Sequence, residues 1–168
     1  TIWSNRFKSK ISPSFQKIGS SINIDKRLYE QDITASIAHT QMLIKQKIIK
    51  SNDGIKIING LKKIKNLIDK GQFNFQEKFE DIHLNIEKKL FEIIGPAAGF
   101  LHTGRSRNDQ VVTDFKLWVK KSSKEMLKDI SLVTAFSVRI GRKGLAAASV
   151  PVLARGAARN KRIALSMR

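Results

Sequence analysis

The sequence predicts an all-α protein. Three observations carry that prediction. Apolar residues recur at three- and four-residue spacing in four separate stretches. No stretch shows the sustained apolar–polar alternation of a half-buried strand. Helix stop signals, Gly71 and the pair Gly95-Pro96, stand where two of the periodic stretches end. At 168 residues the chain has the length of one domain with a real core.

Taken in order, residues 1–24 read as irregular, with Pro13, Gly19 and Ser20-Ser21 as breakers. Asp25 is placed to cap a helix over 26–50, whose apolar face is Leu28, Ile33, Ile37, Leu43 and Ile44. "SNDG" at 51–54 reads as a turn. A second helix covers 55–69, with Ile57, Ile58, Leu61, Ile64, Leu67 and Ile68 on one face. "QFNFQEKF" reads as a loop or a short extended piece. "EDIHLNIEKKLFEIIG" is an amphipathic helix burying Ile82, Ile86, Leu90, Ile93 and Ile94. After a polar decamer, Val111, Val112, Phe115, Val119, Met126 and Ile130 begin a long last helix. These few helices close a core poorly alone, so partner helices from outside the chain are expected.

Composition narrows the function classes. With no cysteine, disulfide frameworks and Cys-based zinc sites are excluded. No run of eighteen apolar residues is present, so no membrane-spanning helix is expected, and "TIWSNRFKSK" lacks the apolar core of a signal peptide. A cytoplasmic location is the expectation. The net charge of +18 points first to a polyanion partner. However, its distribution is uneven. Residues 1–130 hold 24 basic and 14 acidic residues, whereas residues 131–168 hold 8 basic residues and no acid. The first segment is rich in Lys and Ile, the second in Arg and Ala. Lys and Ile use A/T-rich codons, Ala and Arg G/C-rich ones, so the break at Ser131 reads as a change of DNA source. A natural basic tail binding nucleic acid or lipid is the alternative. The tail 131–168 is expected to be irregular or unrelated to the rest.

The polar constellations are open to two readings each. In "LHTGRSRNDQ" (101–110), Gly104 permits a tight backbone path, and Ser106, Asn108 or Asp109 can cap the following helix. Free N–H groups at that helix start favour an anion, and Arg105 and Arg107 offer forked donors for carboxylate or phosphate. Asn108 has both a donor and an acceptor. Spacing alone equally fits a capped surface loop with solvated arginines. Ser20 and Ser21 form a second polar turn, an anion site or plain turn chemistry. In "EDIHLNIE", Asp81 and Asn85 stand four residues apart, as do His83 and Glu87. His83 is an acid/base candidate or an exposed helix histidine, with the second favoured. No other histidine stands four residues away, so a metal site is not expected. His39 has no evident partner.

Together these segments resemble argininosuccinate lyase, of the fumarase/aspartase superfamily. "WSNRF" (3–7) is similar to the family's opening, and "SSINIDKRLYEQDITASIAHTQML" (20–43) to its first helical region. "EDIHLNIEKKLFEIIG" (80–95) and "LHTGRSRNDQVVTDFKLW" (101–118) resemble its next two blocks, and GRSRNDQ is highly specific. The resemblance implies a helical N-terminal lyase domain over 1–108 and the start of a central bundle helix over 109–130. It leaves 131–168 outside the family. It implies β-elimination of argininosuccinate to arginine and fumarate in arginine biosynthesis. No metal or organic cofactor takes part. A homotetramer with active sites shared among three subunits is implied as well. Carried over by motif, Ser21 and Asn108 bind substrate, and Arg107 is the next candidate for a substrate carboxylate. Asp25 supports the first loop, Asp81 and His83 are weaker polar contacts, and Thr103, Arg105, Ser106 and Asp109 shape and anchor the decamer, with His102. The family's later "GYTHLQ"-like and "GSSxMPxKxNP"-like segments, which carry its histidine and catalytic serine, are absent from this sequence. No catalytic residue is therefore expected here, and no turnover from the chain alone.

Two rival classes remain. A basic nucleic-acid-binding protein fits the charge, but its aromatics are not interleaved with the basic residues. A non-catalytic subunit that assembles with an intact lyase fits the expected exposed helix faces.

Overall fold

A computed structural model describes residues 12–143. The described residues are helical, joined by turns and short loops. They comprise α1 (Pro13–Gly19), α2 (Ile22–Asp25), α3 (Tyr29–Lys45), α4 (Ser51–Asp69), α5 (Ile82–Ile94) and α6 (Arg107–Lys143). Three 3-10 turns, Lys26–Leu28, Glu77–Phe79 and Gly95–His102, complete the path.

The core lies where α3, α4, α5 and the Gly95–His102 turn meet. Ile33 and Leu43 from α3, Ile57, Leu61 and Ile64 from α4, and Ile82, Ile86 and Leu90 from α5 are buried there, with Ala98 and Leu101 from the turn. Each fully buried Leu or Ile contributes about 2 kcal/mol of transfer free energy. Gly60 sets how closely α4 and α5 approach. A Cβ on it would stand 2.5 Å from Leu90 Cδ1, inside the van der Waals limit. The apolar faces read from the sequence are thus the buried faces, with Ile37, Ile44, Ile68, Ile93 and Ile94 packed at their margins.

Four expectations are corrected. The stretch 12–24 is not irregular. Ser12 caps α1 by accepting from the Phe15 N–H at 3.2 Å, and Pro13 suits the first turn because it has no N–H to leave unsatisfied. Asp25 does not cap the following helix. Its carboxylate accepts from Ser21 Oγ at 2.6 Å and from the Ile82 N–H at 3.2 Å. "SNDG" is the first turn of α4, where Asp53 complements the helix dipole; the reversal lies earlier, around Lys47 with φ 57°. Finally, α6 continues through Ser131 to Lys143 without a break. Irregularity therefore does not begin at the composition change. Ala, Leu, Arg and Lys propagate a helix as well as the residues before them. The remainder of the tail, 144–168, lies outside the described residues, as does "WSNRF".

The chain divides into two compact units, Thr1–Lys121 and Ser122–Arg168. The first holds the whole core. In the second, the described helix exposes Met126, Leu127, Ile130, Leu132 and Val133. No helix among the described residues is long and apolar enough to cross a membrane.

Candidate functional site

The decamer 101–110 is built as a rigid corner. The 3-10 turn ends at His102, and Gly104 takes φ 64°, a conformation that side chains rarely adopt. The chain then enters α6 at Arg107. Ser106 opens the helix: its Oγ accepts from the Asn108 N–H, a free donor of the first turn, at 3.2 Å, and its carbonyl accepts the first helical bond from the Gln110 N–H at 3.1 Å. Asp109, in the same first turn, complements the positive helix end. Asn108 is exposed.

The two arginines have different jobs. Arg105 Nη1 donates to the buried Ser36 Oγ at 3.0 Å and fastens the loop to α3. Nearby, His39 Nε2 lies 3.0 Å from the Thr103 carbonyl, which can only accept, so Nε2 carries the proton. Burial pushes the His39 pKa down, against that hydrogen bond and with the charges of Arg105 and His102, so the ring is neutral. Arg107 is half-buried. Its Nη1 donates to Gln110 Oε1 at 2.7 Å, and its Nη2 meets Glu87 Oε1 at 2.8 Å. Glu87 also lies 3.3 Å from His102 Nδ1.

Beneath the loop lies a buried polar cluster. Asp32, His83, Gln110 and Asp114 are all nearly inaccessible to solvent. Gln110 Nε2 donates to Asp32 Oδ1 at 2.5 Å. His83 Nδ1 stands 3.1 Å from Asp32 Oδ1 and 3.5 Å from Asp114 Oδ2. Both approaches are those of a buried ion pair when the ring is protonated. Both oxygens of Asp114 lack an ordinary donor. Burial followed by the negative charge of Asp32 raises Asp114 to about 8, against the opposing charges of His83 and Arg105. Burial alone would lower the His83 pKa, but Asp32, then Asp81 and Asp114, hold it above the ordinary value. Burial likewise works against Asp32, whose pKa is nevertheless lowered by His83, Gln110 and Asp114. Two adjacent carboxylates in one apolar setting share a proton. Asp32 is thus held towards its ionised form, His83 towards its charged form and Asp114 towards its protonated form.

Asp32, His83 and Asp114 also present ligand atoms within 4.8 Å of one another, the one such set among the described residues.

The other predicted residues form a second group around the start of α5. Backbone N–H groups of Ser21 and Ile22 donate to the Glu80 carbonyl at 2.8 and 3.0 Å. Asp25 ties Ser21 to Ile82. Its carboxyl is raised by burial and the charge of Asp81, which outweigh the hydrogen bond from Ser21. Asp81 is the N-cap of α5, accepting from the Leu84 N–H at 2.6 Å. Asn85 closes the preceding loop through both backbone groups of Gln76. Ser21, Asp25 and Asp81 are therefore brought together, as are Thr103, Arg105, Ser106 and Arg107. The α5 N-terminus stands between the groups through His83.

Sequence reasoning missed the cluster. His83 is buried, not an exposed helix histidine. Asp32, Ser36, Gln110 and Asp114 were not singled out. A signal existed: Asp32, Ser36 and Thr40 recur at four-residue spacing along one face of α3, and Gln110 and Asp114 repeat that spacing on α6.

Comparison with known proteins agrees with this architecture. A lyase family matches residues 5–155. The argininosuccinate lyase of Pelagibacter ubique (strain HTCC1062) is 50% identical over 144 residues, 86% of this chain and 31% of that protein. Those of Ehrlichia canis (strain Jake) and Ehrlichia chaffeensis (strain ATCC CRL-10679 / Arkansas) are 53% and 54% identical over 121 residues, 72% of this chain and 26% of each. The chain thus spans less than a third of the length of these curated relatives. With its helical fold and the corner at 101–110, the match over residues 5–155 places the chain in the lyase family of the fumarase/aspartase fold.

Proposed function

We propose that the chain supplies one substrate-holding region of an argininosuccinate lyase and is inactive alone. The observation that carries this reading is the identity of 50–54% to argininosuccinate lyases. The Arg107–Asn108 corner adds chemical support. The reaction removes a proton next to a carboxylate and expels a guanidinium nitrogen, giving arginine and fumarate. Negative charge accumulates on that carboxylate in the transition state, and prearranged donors lower its energy. Arg107, with two of its donors tied inward, keeps others for such a group. Asn108 and Ser21 add exposed polar contacts. No residue here serves as the general base. A cytoplasmic homotetramer, with other regions of the shared site on neighbouring subunits, accounts for the exposed apolar side chains of α6. That arrangement is also the reading under which the chain takes part in arginine biosynthesis.

The segment 131–168 is proposed to be foreign to the lyase on the basis of its composition. The family match reaching residue 155 weighs against that. Base composition of the gene across codon 131 decides between them: a continuous A/T-rich frame overturns the foreign origin.

The direct test mixes purified chain with argininosuccinate and follows fumarate absorbance. The expected result is no turnover alone, with activity when a subunit carrying the other regions is added. Turnover by the chain alone overturns its assignment as a binding region. Silence in both mixtures overturns the shared-site reading.

A further inference from the structure

We infer that Gln110 is a positioning residue that transmits the charge state of the buried Asp32–His83–Asp114 cluster to the guanidinium of Arg107. The inference rests on the reading of Arg107 as a carboxylate-binding residue.

The geometry leaves Gln110 little freedom. Its side chain is buried, with the amide nitrogen on Asp32 Oδ1 at 2.5 Å and the amide oxygen on Arg107 Nη1 at 2.7 Å. An amide has one donor end and one acceptor end. Rotating it by half a turn would set its oxygen against a carboxylate and its NH2 against a guanidinium. An ionised Asp32 therefore fixes the sense of the amide, and that sense hands Arg107 an acceptor. Glu87 takes the second inward donor of Arg107 at 2.8 Å. The remaining guanidinium N–H groups are left for a ligand, in a direction set by these two anchors.

The cluster below decides how firmly Asp32 holds its place. The charged groups acting on Asp114 are Asp32 on α3, His83 on α5 and Arg105 on the loop. Asp81, at the start of α5, acts on His83. With Asp114 protonated, the charges of Asp32 and His83 cancel. With Asp114 ionised, the buried site carries a net negative charge, and two anions compete for one imidazolium. Asp114 Oδ2 is already within 3.5 Å of His83 Nδ1. Repulsion between the carboxylates displaces Asp32 from Gln110, and the anchor on Arg107 loosens. Ligand affinity at the corner therefore falls as pH rises through the Asp114 titration, near 8.

The test uses the full 15N-labelled chain. The Gln110 side-chain amide and the Arg107 Nε–H are followed by NMR from neutral to alkaline pH, and argininosuccinate affinity is measured by calorimetry over the same range. Wild type should show both signals moving in one alkaline transition, with affinity dropping about tenfold across it. Asp114→Asn, an isosteric neutral replacement, should keep the affinity found below the transition and abolish the step. Gln110→Leu should retain the helical circular dichroism and lose roughly tenfold to a hundredfold in affinity at every pH. Signals that ignore the transition, or a step that survives in Asp114→Asn, overturn the inference. If the signals move together but argininosuccinate binds at no pH, the transmission stands and the proposed function falls. If argininosuccinate binds with no linked movement, the reverse holds.

Discussion

Helices α3 and α4 each bury one stripe at three- and four-residue spacing, and the two stripes have opposite chemistry. On α4 it is Ile57, Leu61 and Ile64; on α3 it is Asp32, Ser36 and Thr40 alongside Ile33 and Leu43. The α4 stripe gains from non-directional burial and would tolerate other residues of similar volume. The α3 stripe gains only if each polar group meets its partner. Asp32 needs His83 and Gln110, while Ser36 accepts from Arg105. One helix is scaffold, and the other sacrifices apolar area to fix a loop. Buried polar groups specify a geometry more sharply than apolar ones, because a missing partner costs more than a missing contact.

The strongest way to break this comparison is to remove one charge from the polar stripe. Asp32→Ala leaves His83 buried without its counter-ion and should cost about 3–5 kcal/mol in urea unfolding. A loss below about 1 kcal/mol would mean that the cluster is not a paired charge site. Next, Leu61→Ala on the apolar stripe should cost about 2–5 kcal/mol through lost burial and a residual cavity. It should leave the alkaline behaviour of the Gln110 amide unchanged. A shift in that behaviour would show that the two stripes are not separable.

The third prediction concerns pH. Asp114 is raised from 3.8 to about 8, so the stability it contributes is complete below its unfolded value and lost as pH rises through 8. His83, raised above 6.5, acts in the same sense: its stabilisation is present below 6.5 and lost on the alkaline side. Asp32 acts oppositely, with stability present above 3.8 and lost as pH falls below it. The Asp114 contribution should therefore make Tm decline as pH rises from about 4 to about 8, and the decline should be shallower in Asp114→Asn. Equal slopes in the two proteins would remove Asp114 as the source. The smallest expected effect is at the corner itself. Ser106→Ala removes the acceptor for the Asn108 N–H and should cost about 1 kcal/mol. A neutral result in thermal unfolding would mean that solvent replaces that acceptor.

Much of the architecture was legible in the residues. The α4 and α5 faces follow from periodicity alone, and Gly95 with Pro96 marks the end of α5 as read. The helix starting within the decamer also stands where the capping residues placed it, with Ser106 as the acceptor. The N-terminal helices were not legible, since Pro13 reads as a breaker until the Ser12 cap makes it a first-turn residue. His83 failed for a related reason. A histidine one position off the Ile82–Ile86–Leu90 face of an amphipathic helix reads as solvent-facing. Its burial depends on Asp32 and Asp114, distant in sequence, arriving at the same point.

The sequence by itself determined the buried faces of α4 and α5 and the resemblance to the family, because apolar period, helix stops and the decamer are local patterns. It also named the residues of the corner. Only the tertiary structure decided which polar residues lie inside, which charged groups meet there, and which partners each arginine takes. Those outcomes depend on charges brought within about 4 Å of each other from three helices, where the low dielectric makes pairing decisive.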